Sequence, residues 1–177
     1  MKSEINLRPA TIEDIEILHY WDTKPHVQAS TGQDENIDWT HELTNAADWQ
    51  EILIAELGNE PIGVLQIMDP HLEVTHYWGE IEPNHRAIDI WIGEEDNLSK
   101  GYGTDMMRKG IIRCFKDLDV SAIVIDPLVT NERAIKFYEK LGFNIIEQRM
   151  FGEDNCYVMR LNRIDWEMGQ GSNIGEG

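Results

Sequence analysis

The apolar positions of this chain change period several times, and each change marks an element. Ile5 and Leu7 alternate with polar neighbours over Ile5 to Arg8, the pattern of an edge strand. Ile15, Leu18 and Trp21 then recur at helical spacing, which predicts a helix from about Glu13 to Trp21 with Thr11 as its cap. Residues 22 to 49 are polar and tryptophan-bearing and read as short helices and loops. Glu51 to Leu57 and Pro61 to Met68 are strand-like runs, and the Gly58-Asn59 step between them favours a hairpin turn. Residues 69 to 86 form a long loop rich in His, Trp and Glu, and Ala87 to Ile92 is the next strand.

The second half alternates strand and helix. A helix is expected from about Gly103 to Asp117, burying Met106, Met107, Gly110, Ile111, Cys114 and Phe115 while Arg108, Lys109, Arg113 and Lys116 face water. Ala122 to Ile125 is a short β-branched strand, and Asn131 to Leu141 a helix ended by Gly142. Two closing strands follow, at about Phe143 to Phe151 and Cys156 to Leu161. Beyond Trp166 the chain is too polar and glycine-rich to order itself, so the expectation is one domain over residues 1–167 and a flexible tail over 168–177.

Charge sharpens this picture. The net charge is -18, and it is unevenly spread: residues 1 to 96 carry 21 acidic against four basic side chains, the remainder 12 against 11. The acidic half repels nucleic acid and steers a cation, so the expected partner is a cationic small molecule. Eight of the 15 basic residues fall between Lys100 and Lys140. No apolar run approaches the roughly 20 residues of a membrane span, no signal sequence is evident at Met1, and the sparse cysteine usage, Cys114 and Cys156 with no close-spaced ligand pair, suits a reducing compartment. A cytoplasmic protein without membrane or nucleic-acid partners, monomeric or homodimeric, is expected. His71, His76 and His85 lack the spacing of a zinc site, so no metal is called for.

The chemistry is concentrated in the turn Leu98-Ser99-Lys100-Gly101-Tyr102-Gly103-Thr104. A helix that begins on glycines leaves several N–H groups unpaired, and with the positive end of the helix dipole they form a phosphate-binding end that Lys100 can assist. Two dozen residues later stands Asp126-Pro127, followed by Asn131-Glu132-Arg133-Ala134-Ile135-Lys136-Phe137-Tyr138-Glu139-Lys140-Leu141-Gly142-Phe143. In this order the two segments resemble the acetyl-coenzyme A core of the GCN5-related N-acetyltransferases (GNAT). That resemblance implies an α+β acyl-coenzyme A N-acyltransferase fold, a central mixed, mostly antiparallel sheet flanked by helices. Such a fold splays the strand before the glycine turn to admit the pantetheine arm.

By the same resemblance, Ile90 and Ile92 offer backbone groups to the arm of acetyl-coenzyme A, the acetyl donor. The amides of Gly101 and Gly103, with Ser99, Lys100, Tyr102 and Thr104, hold the pyrophosphate. Asn131 and Ala134 lie near the cofactor, and Tyr138 beside the thioester sulfur as the acid for the leaving thiolate. Asp89 stands as the base or as the group that orients the acceptor's ammonium. An ordinary aspartate titrates near about 3.9, so orientation asks less of it.

Shorter matches are closer still to the aminoglycoside 6'-N-acetyltransferases: Arg86-Ala87-Ile88-Asp89, Ile92-Gly93-Glu94, Asp126-Pro127 and Glu60-Pro61-Ile62-Gly63. Ala29-Ser30 depart from that family, which often has an aromatic residue there. Neither cysteine sits in a nucleophile motif, so direct transfer in a ternary complex is the simpler expectation; Asp126, Glu80 and Glu82 are candidates to hold the cation, and Trp78 or Trp49 to present an aromatic face. Acetylation of another amine or hydroxylamine, such as a polyamine or siderophore precursor, and a non-catalytic acyl-coenzyme A sensor are the alternatives.

Overall fold

The structure, a computed structural model, describes residues 4–31 and 37–172. It contains one seven-stranded mixed sheet in the order β1-β2-β3-β4-β5-β7-β6 and six α-helices. The chain divides into two compact units, Met1–Met68 with Ile88–Gly110, and Asp69–Ala87 with Ile111–Gly177.

In the first unit, β1 (Ile5–Pro9), β2 (Gln50–Leu57) and β3 (Glu60–Met68) pair antiparallel. Gly58 takes φ +68° in the hairpin turn, as the Gly58-Asn59 step anticipates. The expected first helix is shorter at its start: Ile12–Asp14 form a 3-10 turn and α1 runs Ile15–Asp22. The reason is Asp14, which is pulled back toward Arg8 by two hydrogen bonds of 2.8 Å and accepts the Thr11 N–H at 2.8 Å. Thr11 caps as expected, in a capping box with Asp14.

Helices α2 (Pro25–Thr31) and α3 (Trp39–Thr44) follow within the polar segment. Leu18, Trp21, Trp39, Ile52, Ile54 and Val64 form one core cluster. A second gathers Ile5, Ala55, Ile62, Ile92 and Met106, with Ile90, Leu98 and Tyr102 packed against it. Strand β4 runs His85–Ile92 and α4 Tyr102–Phe115, burying the apolar face read from the sequence.

In the second unit, β5 (Ala122–Ile125) pairs parallel with His85–Ala87 of β4 and antiparallel with β7 (Asp154–Asn162), which pairs antiparallel with β6 (Asn144–Phe151). Helix α5 spans Glu132–Lys140, and Gly142 follows it at φ +100°. One sequence expectation needs correction: α6 runs Arg163–Ser172, so residues 168–172 of the expected flexible tail are helical. The sequence shows no apolar stripe there because the order comes from one end. Arg163 donates to the carbonyls of Phe115, Asp117 and Val120 at 3.0, 2.5 and 2.7 Å and lies over the Phe115 ring at 4.7 Å. Residues 173–177 of that tail lie outside the described residues.

Candidate active site

In the first unit the candidate residues are a strand end and a turn. The parallel ladder of β4 with β5 stops at Ala87↔Val124, and Ile88 to Ile92 run on beyond it. Asp89 and Ile90 are half-buried there, Ile92 buried. After a short 3-10 turn at Glu95–Asn97, Ser99 and Gly101 adopt left-handed conformations, φ +61° and +87°. A β-carbon at Gly101 would meet nothing within 4 Å. The glycine is therefore favoured by its dihedral angle, which costs other residues roughly 1–2 kcal/mol, and crowding by protein atoms plays no part.

Helix α4 opens on this turn. Its first intrahelical bond runs from the Asp105 N–H to the Gly101 carbonyl at 3.1 Å, so the amides of Tyr102, Gly103 and Thr104 have no partner within the helix. Ser99 and Lys100 are exposed, while Tyr102, Gly103 and Thr104 are half-buried. Leu98 and Tyr102 pack on the cluster that holds Ile92, so β4 and the glycine turn are brought together.

In the second unit the candidate residues are side chains from distant segments. Burial alone would raise the Glu73 pKa, but the N–H groups of Tyr77 and Thr75, at 2.9 and 2.7 Å, outweigh it and hold the carboxyl below its ordinary range. Around this buried anion the loop turns and presents Tyr77. The Tyr77 hydroxyl donates to Asp126 at 2.5 Å, and its ring stacks on Phe151 with centroids 4.6 Å apart. Trp78, expected to present a face, is instead 6% exposed and packed edge-on to Phe151 and Tyr77. Tyr77, by contrast, is 42% exposed. A single sequence does not say which of two adjacent aromatics faces in.

Arg149 donates to the Trp78 carbonyl at 3.1 Å, lies over Phe151 and pairs with Glu147. Between loop residues 75–79 and the hairpin residues 149–152 lies an open depression of about 430 Å³. Glu80 and Glu82 are exposed on the same loop, and Asp126 is half-buried at the end of β5. On α5, Asn131 caps the helix through its Oδ1, which accepts the Ala134 N–H at 3.2 Å. That bond takes up the Ala134 amide and leaves the Asn131 side-chain nitrogen as a donor. Tyr138 is half-buried against Phe143 and Phe137. Among the described residues no group of three or more His, Cys, Asp or Glu is arranged to hold a metal ion, and no helix is long and apolar enough to cross a membrane.

Comparison with known proteins bears on both sets of residues. The family model described as "Acetyltransferase (GNAT) domain" matches residues 11–151. Aminoglycoside N(6')-acetyltransferase type 1 of Klebsiella pneumoniae is 32% identical over 147 residues, 78% of this chain and 73% of the relative. A kanamycin resistance protein of Rhizobium radiobacter is 40% identical over 73 residues, 41% of this chain and 68% of the relative. A crystal structure of aminoglycoside acetyltransferase AAC(6')-Ib in complex with coenzyme A and kanamycin superposes with a TM-score of 0.85 at 27% identity, covering 94% of this chain and 99% of that one.

Proposed function

The chain belongs to the acetyltransferase (GNAT) domain family, and from that premise we propose that it transfers the acetyl group of acetyl-coenzyme A to the 6'-amine of an aminoglycoside. Transfer is direct: the neutral amine attacks the thioester carbonyl, a C–N bond forms, the C–S bond breaks, and the sulfur leaves as a thiolate. Asp89 orients the ammonium and receives its proton, directly or through water. Tyr138 gives its proton to the thiolate, and the proton shed by the newly acylated nitrogen, passed directly or through water, restores the phenol. Gly101, Gly103 and Thr104 offer amides to the pyrophosphate, assisted by Ser99, Lys100 and Tyr102, while Ile90 and Ile92 hold the arm and Asn131 adds a side-chain donor. The family match spans parts of both compact units, which supports reading residues 1–167 as one catalytic domain.

The observation that carries the acceptor assignment is Asp126 braced by Tyr77 near an open depression, on a chain whose relatives are named for aminoglycoside acetylation. A half-buried carboxylate with an aromatic neighbour suits an ammonium group on a sugar ring. Glu80, Glu82 and the exposed face of Tyr77 complete this subsite, with Trp78 behind them as support. We place the enzyme in the cytoplasm, whose reducing conditions suit a chain with two cysteines in 177 residues.

A thiol-release assay with acetyl-coenzyme A tests the reading across kanamycin, a polyamine and a hydroxylamine. Turnover of kanamycin with the acetyl group found on the 6'-nitrogen is expected. Turnover confined to the polyamine or hydroxylamine would overturn the acceptor assignment, and coenzyme binding without turnover of any amine would make the protein a sensor.

A further inference from the structure

Strand β4 ends under a clamp from the α1–α2 corner. The His26 ring contacts the Ile92 carbonyl through Nε2 at 2.9 Å, and a carbonyl only accepts, so Nε2 carries the hydrogen. The next residue, Gly93, donates its N–H to the Ile62 carbonyl on β3 at 2.9 Å. The Ile92–Gly93 peptide bond is trans, so the Ile92 carbonyl points opposite to the Gly93 N–H, toward the edge of β4 away from β3. Residues two apart share an edge, so Ile90 presents its amide and carbonyl on the same side. This is the edge on which the ladder with β5 has already stopped, at Ala87.

Two neighbours tighten the clamp. The Trp21 indole lies so close to Gly93 that a β-carbon there would fall 2.0 Å from the ring, and Lys24 pairs with Glu94 at 3.0 Å. Residues 92, 93 and 94 are thus each held by a different side chain of one helix corner.

We infer that His26 is a positioning residue for the acetyl donor: by occupying the Ile92 carbonyl it fixes where the hydrogen-bonding edge of β4 ends, and so sets coenzyme affinity. The inference rests on the acetyl-coenzyme A reading above. With the Ile92 carbonyl taken, that edge offers the Ile90 amide and carbonyl and the Ile92 amide. Without His26 the strand end loses its stop on this edge, and the carbonyl competes for the arm.

Calorimetric titration of acetyl-coenzyme A into the wild type, His26→Gln, His26→Asn and His26→Ala tests this. The glutamine amide nitrogen reaches about as far as Nε2, whereas the asparagine nitrogen reaches only as far as Nδ1. The dissociation constant should stay within about twofold for His26→Gln and rise about tenfold for His26→Asn and His26→Ala, with the acceptor KM unchanged. Should the alanine variant fail to fold, the glutamine and asparagine pair decides alone. Equal affinity in those two folded variants would overturn the role of His26, as would an acceptor KM that rises in step with the coenzyme constant. Absence of binding by the wild type would instead sink the acetyl-coenzyme A reading and this inference with it.

Discussion

The residues assigned to the donor and those assigned to the acceptor are built from different materials. The donor residues on β4 and in the glycine turn lie within one run from Ile90 to Thr104, and most act through the main chain: strand amides, carbonyls and a left-handed turn. The acceptor residues are side chains drawn from far apart, with 49 positions between Tyr77 and Asp126, and Phe151 beyond them. A backbone site can be broken only by changing dihedral angles or strand position. A side-chain site can be retuned one contact at a time, so one donor chemistry can serve many amines.

The sharpest break in this comparison is Asp89, the donor-strand residue assigned to act through its side chain on the amine. Asp89→Asn should lower kcat by about 10²- to 10⁴-fold and leave coenzyme affinity near that of the wild type, measured by steady-state kinetics beside calorimetry. Wild-type kcat in the variant would remove Asp89 from the reaction.

Gly101 tests the backbone claim next. Gly101→Val puts a β-branched residue at φ +87° where no protein atom lies within 4 Å of its β-carbon, so any effect reports the dihedral angle or crowding of the bound pyrophosphate and not a clash within the protein. The coenzyme dissociation constant should rise about tenfold or more while the acceptor KM stays put. Unchanged coenzyme affinity in a folded variant would dismiss the phosphate-binding turn.

These differences also explain what the sequence could disclose. The donor segment is contiguous, and its glycines, β-branched strand and capped helices are local signals, so its elements fall within a residue or two of expectation. Asp126 and Tyr138 were legible as candidates through their motif. Tyr77 was not, because its exposure depends on the fold of the loop around Glu73, and His26 was not, because its partner is 66 positions away. Helix α6 was missed for a similar reason, since the carbonyls that Arg163 satisfies belong to residues 115 to 120.

The acceptor side is sharpened by removing one hydroxyl. Tyr77→Phe keeps the ring for stacking on Phe151 and deletes only the donor to Asp126. The KM for a multiply charged aminoglycoside should rise about three- to tenfold, with the coenzyme constant unmoved. Asp126→Asn should raise it too, and should flatten the fall of kcat/KM with ionic strength that steering by the acidic half predicts. An acceptor KM insensitive to both substitutions would mean that the amine docks elsewhere.

The smallest effect expected is on pH, and it separates the two regions through their buried carboxylates. Glu73 in the acceptor loop and Asp14 beneath β1 are both held below the ordinary carboxylate range: Asp14 chiefly by Arg8, Glu73 by backbone N–H groups against its burial. A group with a depressed folded pKa stabilises fully above its unfolded pKa, about 4.3 for a glutamate and 3.9 for an aspartate, and loses that stabilisation as pH falls through the folded value. Both losses therefore fall below about pH 4.5, but they act in different places. Glu73→Gln keeps one acceptor oxygen and removes the charge, so it should cost about 1 kcal/mol and bring to neutral pH the loosening that acid causes in the wild type. Hydrogen exchange is the direct measurement. At neutral pH the Thr75 and Tyr77 amides should lose protection in Glu73→Gln while those of β1 do not, and Asp14→Asn should show the reverse. Equal loss of protection everywhere in both variants would mean that the two carboxylates support one cooperative unit, and that the acceptor loop has no separate stability to tune.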